Sequence, residues 1–271
     1  MMENKTIGII GAGAIGKCLA EYAESHLNRF INQLILFDSD IDKMKTLADK
    51  LNNVEIATSM KDLVEKSDLV IEAASAGAVS AIFENVLREG KDLMVMSIGG
   101  LLGNEDYLDM ARNKGLIVIL PSGAIAAIDG LKSFNVGGLE KVTLTTRKAP
   151  RSIKGAPYLL ENNINVDTFT TETIVFEGNA IEAVKGFPKN VNVSALLSIA
   201  GMGAEKTKVR IIVSPEYTKN IHEIVMEGKA GKISLRVENV PSPDNPKTSY
   251  LAALAACAAL AGYFDTVRIG T

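Results

Sequence analysis

The chain opens on a short apolar run at Thr6–Ile10. As far as Leu120, runs of β-branched or aliphatic side chains then alternate with stretches of helical period. Strands are expected at Thr6–Ile10, Leu34–Phe37, Val54–Ala57, Leu69–Ala73, Leu93–Ser97 and Leu116–Leu120. Helices are expected between them at Ala14–Ser25, Ile41–Leu51, Ala78–Arg88 and Glu105–Asn113. Strand and helix in that rhythm build βαβ units on a parallel sheet, because parallel neighbours need a long crossover between them.

Beyond Pro121 the rhythm changes. Val142–Arg147, Asp167–Phe176, Val209–Val213, Asn220–Met226 and Ile233–Val237 read as strands, several of them alternating apolar and polar positions as in a half-solvated, mostly antiparallel sheet. Helices interrupt them at Ala180–Lys185 and Val191–Ala200. The segment Val240–Pro246 holds three of the eight prolines and reads as a stiff crossover. Asn245 is then placed as N-cap and Pro246 as first residue of an Ala-rich helix, Lys247–Tyr263, which is apolar almost all round and expected to be buried.

Composition narrows the function classes. With 47% hydrophobic and 23% charged residues over 271 positions, the chain is an ordinary globular one, not a disordered, collagen-like or coiled-coil sequence. Two cysteines, Cys18 and Cys257, cannot build a disulfide scaffold, so a cytoplasmic location is expected. The opening residues lack the charged start and apolar core of a signal peptide, and no apolar run reaches the roughly 20 residues of a membrane span, so no membrane association is expected. A net charge of −3 argues against a nucleic-acid partner. No metal site is expected, because the two cysteines and two histidines have no ligand spacing.

The candidate chemistry starts at Gly11-Ala12-Gly13-Ala14-Ile15-Gly16, a G-x-G-x-x-G between the first strand and the first helix. Gly11 permits a tight turn, Gly13 lets a pyrophosphate approach, Gly16 allows close helix packing, and Ala14 and Ile15 open the helix whose N-terminus meets the phosphates. The alternative is a tight strand-to-helix turn without a ligand. Asp38 ends the second strand, somewhat beyond the usual spacing of about 20 residues; it is either the carboxylate that accepts from a ribose 2′-hydroxyl, favouring NAD over NADP, or a helix cap. Ala74 and Ser75 follow the fourth strand and are expected to line the cofactor cleft. Pro121-Ser122-Gly123-Ala124 follows the sixth and is a cofactor-side turn, a domain hinge or both. The fold class is therefore α/β, an N-terminal Rossmann-type parallel sheet followed by a second α+β domain on a mostly antiparallel sheet. The expected domains are 1–121 for dinucleotide binding, 122–240 for catalysis and dimerisation, and 241–271 for the crossover and a helix returning to the first domain.

His222 lies early in a strand of the second domain and shares a face with Ile224 and Met226 by the period of two. It is a core histidine or an acid–base catalyst. The other histidine, His26, ends the first helix among polar residues and reads as surface, so a reaction needing an imidazole near neutral pH would need His222. Asn190 is an N-cap or an amide for nicotinamide or its ribose. Lys247, Thr248 and Ser249 form an ordinary helix start or a cradle for a substrate anion. The cations of Arg147–Arg151 are a solvated corner or part of a carboxylate pocket.

Several of these blocks occur in a telling order: the Gly-rich turn, Pro121-Ser122-Gly123-Ala124-Ile125, Arg147-Lys148-Ala149-Pro150, Phe187-Pro188-Lys189-Asn190-Val191-Asn192-Val193, Thr218-Lys219-Asn220-Ile221-His222 and Asn245-Pro246-Lys247-Thr248-Ser249. In that order they resemble the L-aspartate dehydrogenases of archaeal and bacterial type over essentially the whole chain. The resemblance implies a homodimeric NAD(P)-dependent enzyme that oxidises L-aspartate to iminoaspartate and then oxaloacetate plus ammonia, or feeds the imine into NAD biosynthesis. It also implies that Ala124 and Asn190 contact the cofactor and that His222 is the active-site histidine. The alternatives are a Rossmann-type reductase of another aspartate-pathway metabolite and a non-catalytic dinucleotide sensor.

Overall fold

The computed structural model describes residues 4–188, 192–243 and 245–270, with Pro246 and Lys247 described by backbone alone. The described residues fall into two compact units: one runs to Pro121 and takes in Ala252–Arg268, and the other is built from Ser122–Leu251.

The first unit carries strands β1 (Lys5–Ile10), β2 (Ile31–Phe37), β3 (Val54–Ile56), β4 (Leu69–Glu72), β5 (Asp92–Val95) and β6 (Val118–Ile119). All six are parallel, in the order β3-β2-β1-β4-β5-β6. The helices are α1 (Ala14–His26), α2 (Ile41–Ala48), α3 (Met60–Lys66), α4 (Val79–Glu89) and α5 (Asp106–Lys114). The α3 helix was not expected from the periodicity; it is seven residues long, and Ser59 caps it by accepting the Asp62 N–H. The strand order reverses at β1, so the carboxyl ends of β1 and β4 flank the crevice where ligands of such sheets bind.

The second unit carries α6 (Ile128–Gly137), β7 (Leu139–Lys148), α7 (Pro157–Glu161), β8 (Thr173–Asn179), α8 (Ala180–Gly186), α9 (Asn192–Ala200), β9 (Thr207–Val213), β10 (Asn220–Gly228) and β11 (Gly231–Asn239). The sheet order is β11-β10-β7-β9-β8, antiparallel except for the β7/β9 pair. Two expectations are corrected here. Asp167–Phe176 is not one strand: Val166–Thr168 forms a single helical turn, capped by Asn165, and β8 begins only at Thr173. Helices α6 and α7 were not expected.

A third correction concerns the proline-rich segment. In place of a stiff crossover, β12 (Pro241–Ser242) and β13 (Asn245–Ser249) pair antiparallel as a small hairpin. The final helix, α10 (Tyr250–Phe264), begins after it, so Asn245 is not its N-cap and Lys247, Thr248 and Ser249 are strand residues. Local pairing, Pro241 with Ser249 and Ser242 with Asn245, takes up the residues that the pattern assigned to a helix start.

The α10 helix buries one stripe, Ala253, Ala256, Cys257, Leu260 and Phe264, and does not bury all its sides as expected: Leu254 is 44% exposed. Half of the positions outside the stripe are alanine, whose exposure costs little. The buried stripe joins a core that includes Ile7, Ile9, Leu19, Leu36 and Met94. Phe264 stacks on Phe30, and the Tyr263 hydroxyl donates to Asp92 at 2.7 Å. No helix among the described residues is long and apolar enough to cross a membrane.

Candidate active site

In the first unit the geometry is set by three glycines with different tasks. Gly11 has φ of +110°, and a Cβ there would come within 2.4 Å of the Ala73 carbonyl oxygen. A Cβ on Gly16 would lie 1.8 Å from the Gly11 carbonyl oxygen, so only glycine lets α1 sit so close to the turn. Nothing lies within 4 Å of where a Cβ on Gly13 would be, and no side chain caps α1. Ala14 and Ile15, both half-buried, form the first helical positions. The turn is thus closed on its sheet side and open at the helix N-terminus, the arrangement that accepts a pyrophosphate.

Asp38 stands at the end of β2 beside this turn. Its Oδ2 accepts the Ala12 N–H at 2.6 Å and its Oδ1 the Asp40 N–H at 2.8 Å. The cap of α2 is Asp40, which accepts the Lys43 N–H, so the helix-cap reading of Asp38 is set aside. A cavity of about 380 Å³ opens next to the turn, lined by Ala12 and Lys17 on one side and by Asp40, Lys43 and Leu47 on the other.

Ala74 and Ser75 are exposed at the carboxyl end of β4. They are placed by Glu72, a fully buried residue that the sequence reading missed. Its Oε1 accepts the Ala74 N–H at 2.9 Å, while its Oε2 accepts Met96 N–H at 3.1 Å and Ser97 N–H at 2.8 Å. Burial pushes its carboxyl up from the ordinary range, against the pull of those N–H donors. An acid ending the run Leu69-Val70-Ile71 is the signal that could have found it.

In the second unit, His222 is paired across the sheet with Thr146 of β7 and Val237 of β11. His222, Ile224 and Met226 are all buried, on the face expected from the period of two. The Thr146 hydroxyl lies 3.1 Å from His222 Nδ1. No other hydrogen bond to the ring forms among the described residues. Two residues along the same face of β7 is Lys148, 6% exposed. Burial pushes the Lys148 ammonium down to about 8, and burial with the Lys148 charge nearby pushes the His222 imidazole down to about 3. His222 is therefore neutral across the physiological range. His26, by contrast, is exposed and stacks on Tyr22.

Asn239 completes this end of the sheet. It is paired with Asn220 and so shares the His222 face; it donates from Nδ2 to the Ala124 carbonyl at 3.0 Å and accepts the Ser249 hydroxyl at 2.6 Å. One buried amide thus joins Ala124 to the β12/β13 hairpin that carries Thr248 and Ser249. The Arg147–Arg151 corner, by contrast, is divided. Lys148 turns to the His222 face, Arg147 pairs with Glu223 and Glu172 on the other, and Arg151 is exposed. Asn190 lies outside the described residues. Among the described residues no group of histidine, cysteine or acidic side chains could hold a metal ion.

Residues 129–263 match the domain family described as aspartate dehydrogenase, C-terminal, and residues 11–121 match the homoserine dehydrogenase NAD binding domain. The L-aspartate dehydrogenase of Methanococcoides burtonii is 44% identical over 98% of this chain and 99% of its own. The chain belongs to the L-aspartate dehydrogenase family. The family likeness extends to bacteria, with 36% identity to the L-aspartate dehydrogenase of Bradyrhizobium diazoefficiens over 98% of this chain and 94% of that one. The fold is that of the Thermotoga maritima aspartate dehydrogenase crystal structure, with a TM-score of 0.77 and 24% identity over 99% of this chain and all of that one. Within this member of the family, the expectation of a Rossmann-type sheet followed by a mostly antiparallel one matches the two sheets described above.

Proposed function

We propose that the chain is an NAD(P)-dependent L-aspartate dehydrogenase, converting L-aspartate, NAD and water to oxaloacetate, ammonia, NADH and a proton. The observation that carries this is a buried, neutral imidazole oriented by Thr146 in a chain 44% identical to an L-aspartate dehydrogenase along nearly its whole length. NAD would be held by Gly11, Gly13, Ala14, Ile15 and Gly16 at its phosphates, and by Asp38, Ala74 and Ser75 around them; Ala124 and Asn190 complete the contacts. Bound there, it supplies the acceptor for the hydride leaving the substrate Cα.

His222 is the acid–base group. An imidazole that donates Nδ1–H to Thr146 presents the Nε2 lone pair, which takes a proton from the substrate amine as the C=N bond forms. The same nitrogen then manages the water that adds to iminoaspartate, before the C–N bond breaks and ammonia leaves. Lys247, Thr248 and Ser249 are offered as substrate contacts. The Ser249 hydroxyl is already engaged by Asn239, which makes it a support for the hairpin. Asp38 supports a preference for NAD over NADP, because a carboxylate accepts a ribose hydroxyl and repels a 2′-phosphate. A cytoplasmic homodimer that supplies iminoaspartate to NAD biosynthesis is part of the same reading.

The test is NAD(P)H formation with each common amino acid at alkaline pH. Turnover with L-aspartate above all others is expected. No signal with L-aspartate alongside turnover of another amino acid would overturn the assignment.

A further inference from the structure

We propose that Cys18 and Cys257 are a peroxide-sensitive thiol pair, which closes to a reversible disulfide and fastens the last helix of the chain to the first. The inference is independent of the reaction proposed above.

Both cysteines of the chain are free thiols, and although 239 residues separate them their sulfurs lie 3.7 Å apart. A disulfide is about 2.05 Å long. The gap left to close is the size of movement that rotation about the two Cα–Cβ bonds provides. Both residues belong to the first unit, Cys18 in the second turn of α1 and Cys257 midway along α10. The two helices are held together at a second point, because Phe264 at the end of α10 stacks on Phe30, just beyond α1. Leu19, Ala23, Ala256 and Leu260 join the same core. Packing thus keeps the sulfurs in contact, and joining them is an intramolecular step.

The thiols differ in access: Cys18 is half-buried and Cys257 buried. Burial, with the Cys18 sulfur alongside, pushes the Cys257 thiol up to about 12, so the first attack on an oxidant falls to Cys18. The Cys18 thiolate, its proton given to solvent, attacks a hydroperoxide and the O–O bond breaks. Sulfur is oxidised to sulfenic acid, and the leaving oxygen takes up a proton to depart as an alcohol, or as water from hydrogen peroxide. The Cys257 sulfur then bonds to the Cys18 sulfur as the S–O bond breaks, and the departing hydroxide takes the Cys257 proton and leaves as water. Two thiols and one peroxide give one disulfide, with two electrons passed to oxygen. The bond spans a long loop, so it restricts the unfolded chain strongly.

The experiment treats the full-length protein with a small excess of hydrogen peroxide, followed by non-reducing peptide mass mapping and thermal melting, with and without dithiothreitol. A Cys18–Cys257 disulfide within one chain is expected, with both free thiols lost, Tm raised by at least about 4 °C and full reversal by dithiothreitol. In Cys257→Ala the Cys18 sulfenic acid has no partner and should accumulate as a dimedone adduct well above the wild-type level. Two free thiols after oxidation, a disulfide between chains, or Cys18 carried to sulfinic acid with Cys257 still free would overturn the proposal. A disulfide that leaves Tm unchanged or lowers it would do the same, as would equal dimedone labelling of variant and wild type. Should Cys257→Ala fail to fold, the wild-type outcomes decide alone.

Discussion

Asp38 reaches from the end of β2 to the Gly-rich turn, where its Oδ2 accepts the Ala12 N–H at 2.6 Å. One carboxylate thus fixes the turn and sets the charge that a bound nucleotide would meet. Asp38→Ser should lower the ratio of NAD affinity to NADP affinity by at least about 10-fold, mostly through weaker NAD binding and relief of repulsion at a 2′-phosphate. Dissociation constants for the two nucleotides measure this. An unchanged ratio would show that Asp38 serves the turn alone.

Thr146 holds the imidazole in place through Nδ1. His222→Ala should cost about 10²- to 10⁴-fold in kcat with NAD affinity nearly intact. Thr146→Val, which keeps the shape and removes the hydroxyl, should lower kcat about 5- to 10-fold by loosening ring orientation. Steady-state kinetics on both variants decide it; wild-type turnover in His222→Ala would remove the residue from the chemistry.

Acid should destabilise the protein in part through the same ring. In the folded chain His222 protonates only near pH 3, whereas an unfolded histidine does so near pH 6.5. Between those values the unfolded state binds more protons, so stability falls as pH drops, by about 1.4 kcal/mol per pH unit from this residue where the difference is complete. Urea unfolding at pH 7 and pH 4.5 should show a smaller acid loss in His222→Gln than in wild type. Equal losses would mean that the buried ring is not resisting protonation.

Glu72 anchors three backbone N–H groups from two loops at the sheet's carboxyl edge. Glu72→Gln offers a single acceptor oxygen, leaving at least one of those donors without a partner. A loss of about 1–3 kcal/mol in stability is expected, with weaker NAD binding because the Ala74–Ser75 loop is no longer held. Chemical denaturation and nucleotide titration test both parts, and NAD affinity equal to wild type would restrict Glu72 to stability.

Cys18 and Cys257 lie with their sulfurs 3.7 Å apart, and burial together with Cys18 alongside pushes the Cys257 thiol well above the usual range. Only thiolates react readily. Iodoacetamide at neutral pH should therefore modify the half-buried Cys18 alone in the native protein and both residues in denaturant, as peptide mass analysis will show. Native labelling of Cys257 would contradict the packing of α10 on α1.

The parallel sheet was legible because its strands are buried on both faces and so appear as unbroken apolar runs such as Leu69-Val70-Ile71. The elements that escaped are short, five to ten residues each: α3 has a side-chain cap, while α6 and α7 have none, so a single-sequence pattern shows them weakly. The hairpin at Pro241–Ser249 was misread because Asn-Pro looks like a helix start, while the actual contacts pair Pro241 with Ser249 and tie the Ser249 hydroxyl to Asn239, ten residues away. His222 stood out by scarcity and alternation. Lys148 was hidden among neighbouring cations, although its even spacing from Val142, Leu144 and Thr146 already placed it on their buried face.

The last helix of the chain supplies Ala256, Cys257, Leu260 and Phe264 to the core of the nucleotide-binding unit. During synthesis, the Gly-rich turn and all six strands leave the ribosome long before that wall of the core exists. The unit is consequently a late-closing one: until residue 264 has emerged, Leu19, Phe30 and their neighbours have no apolar cover on that side. Cutting the gene after Pro121 would yield a nucleotide-binding half with an open seam, so the first domain in sequence is the last to be finished.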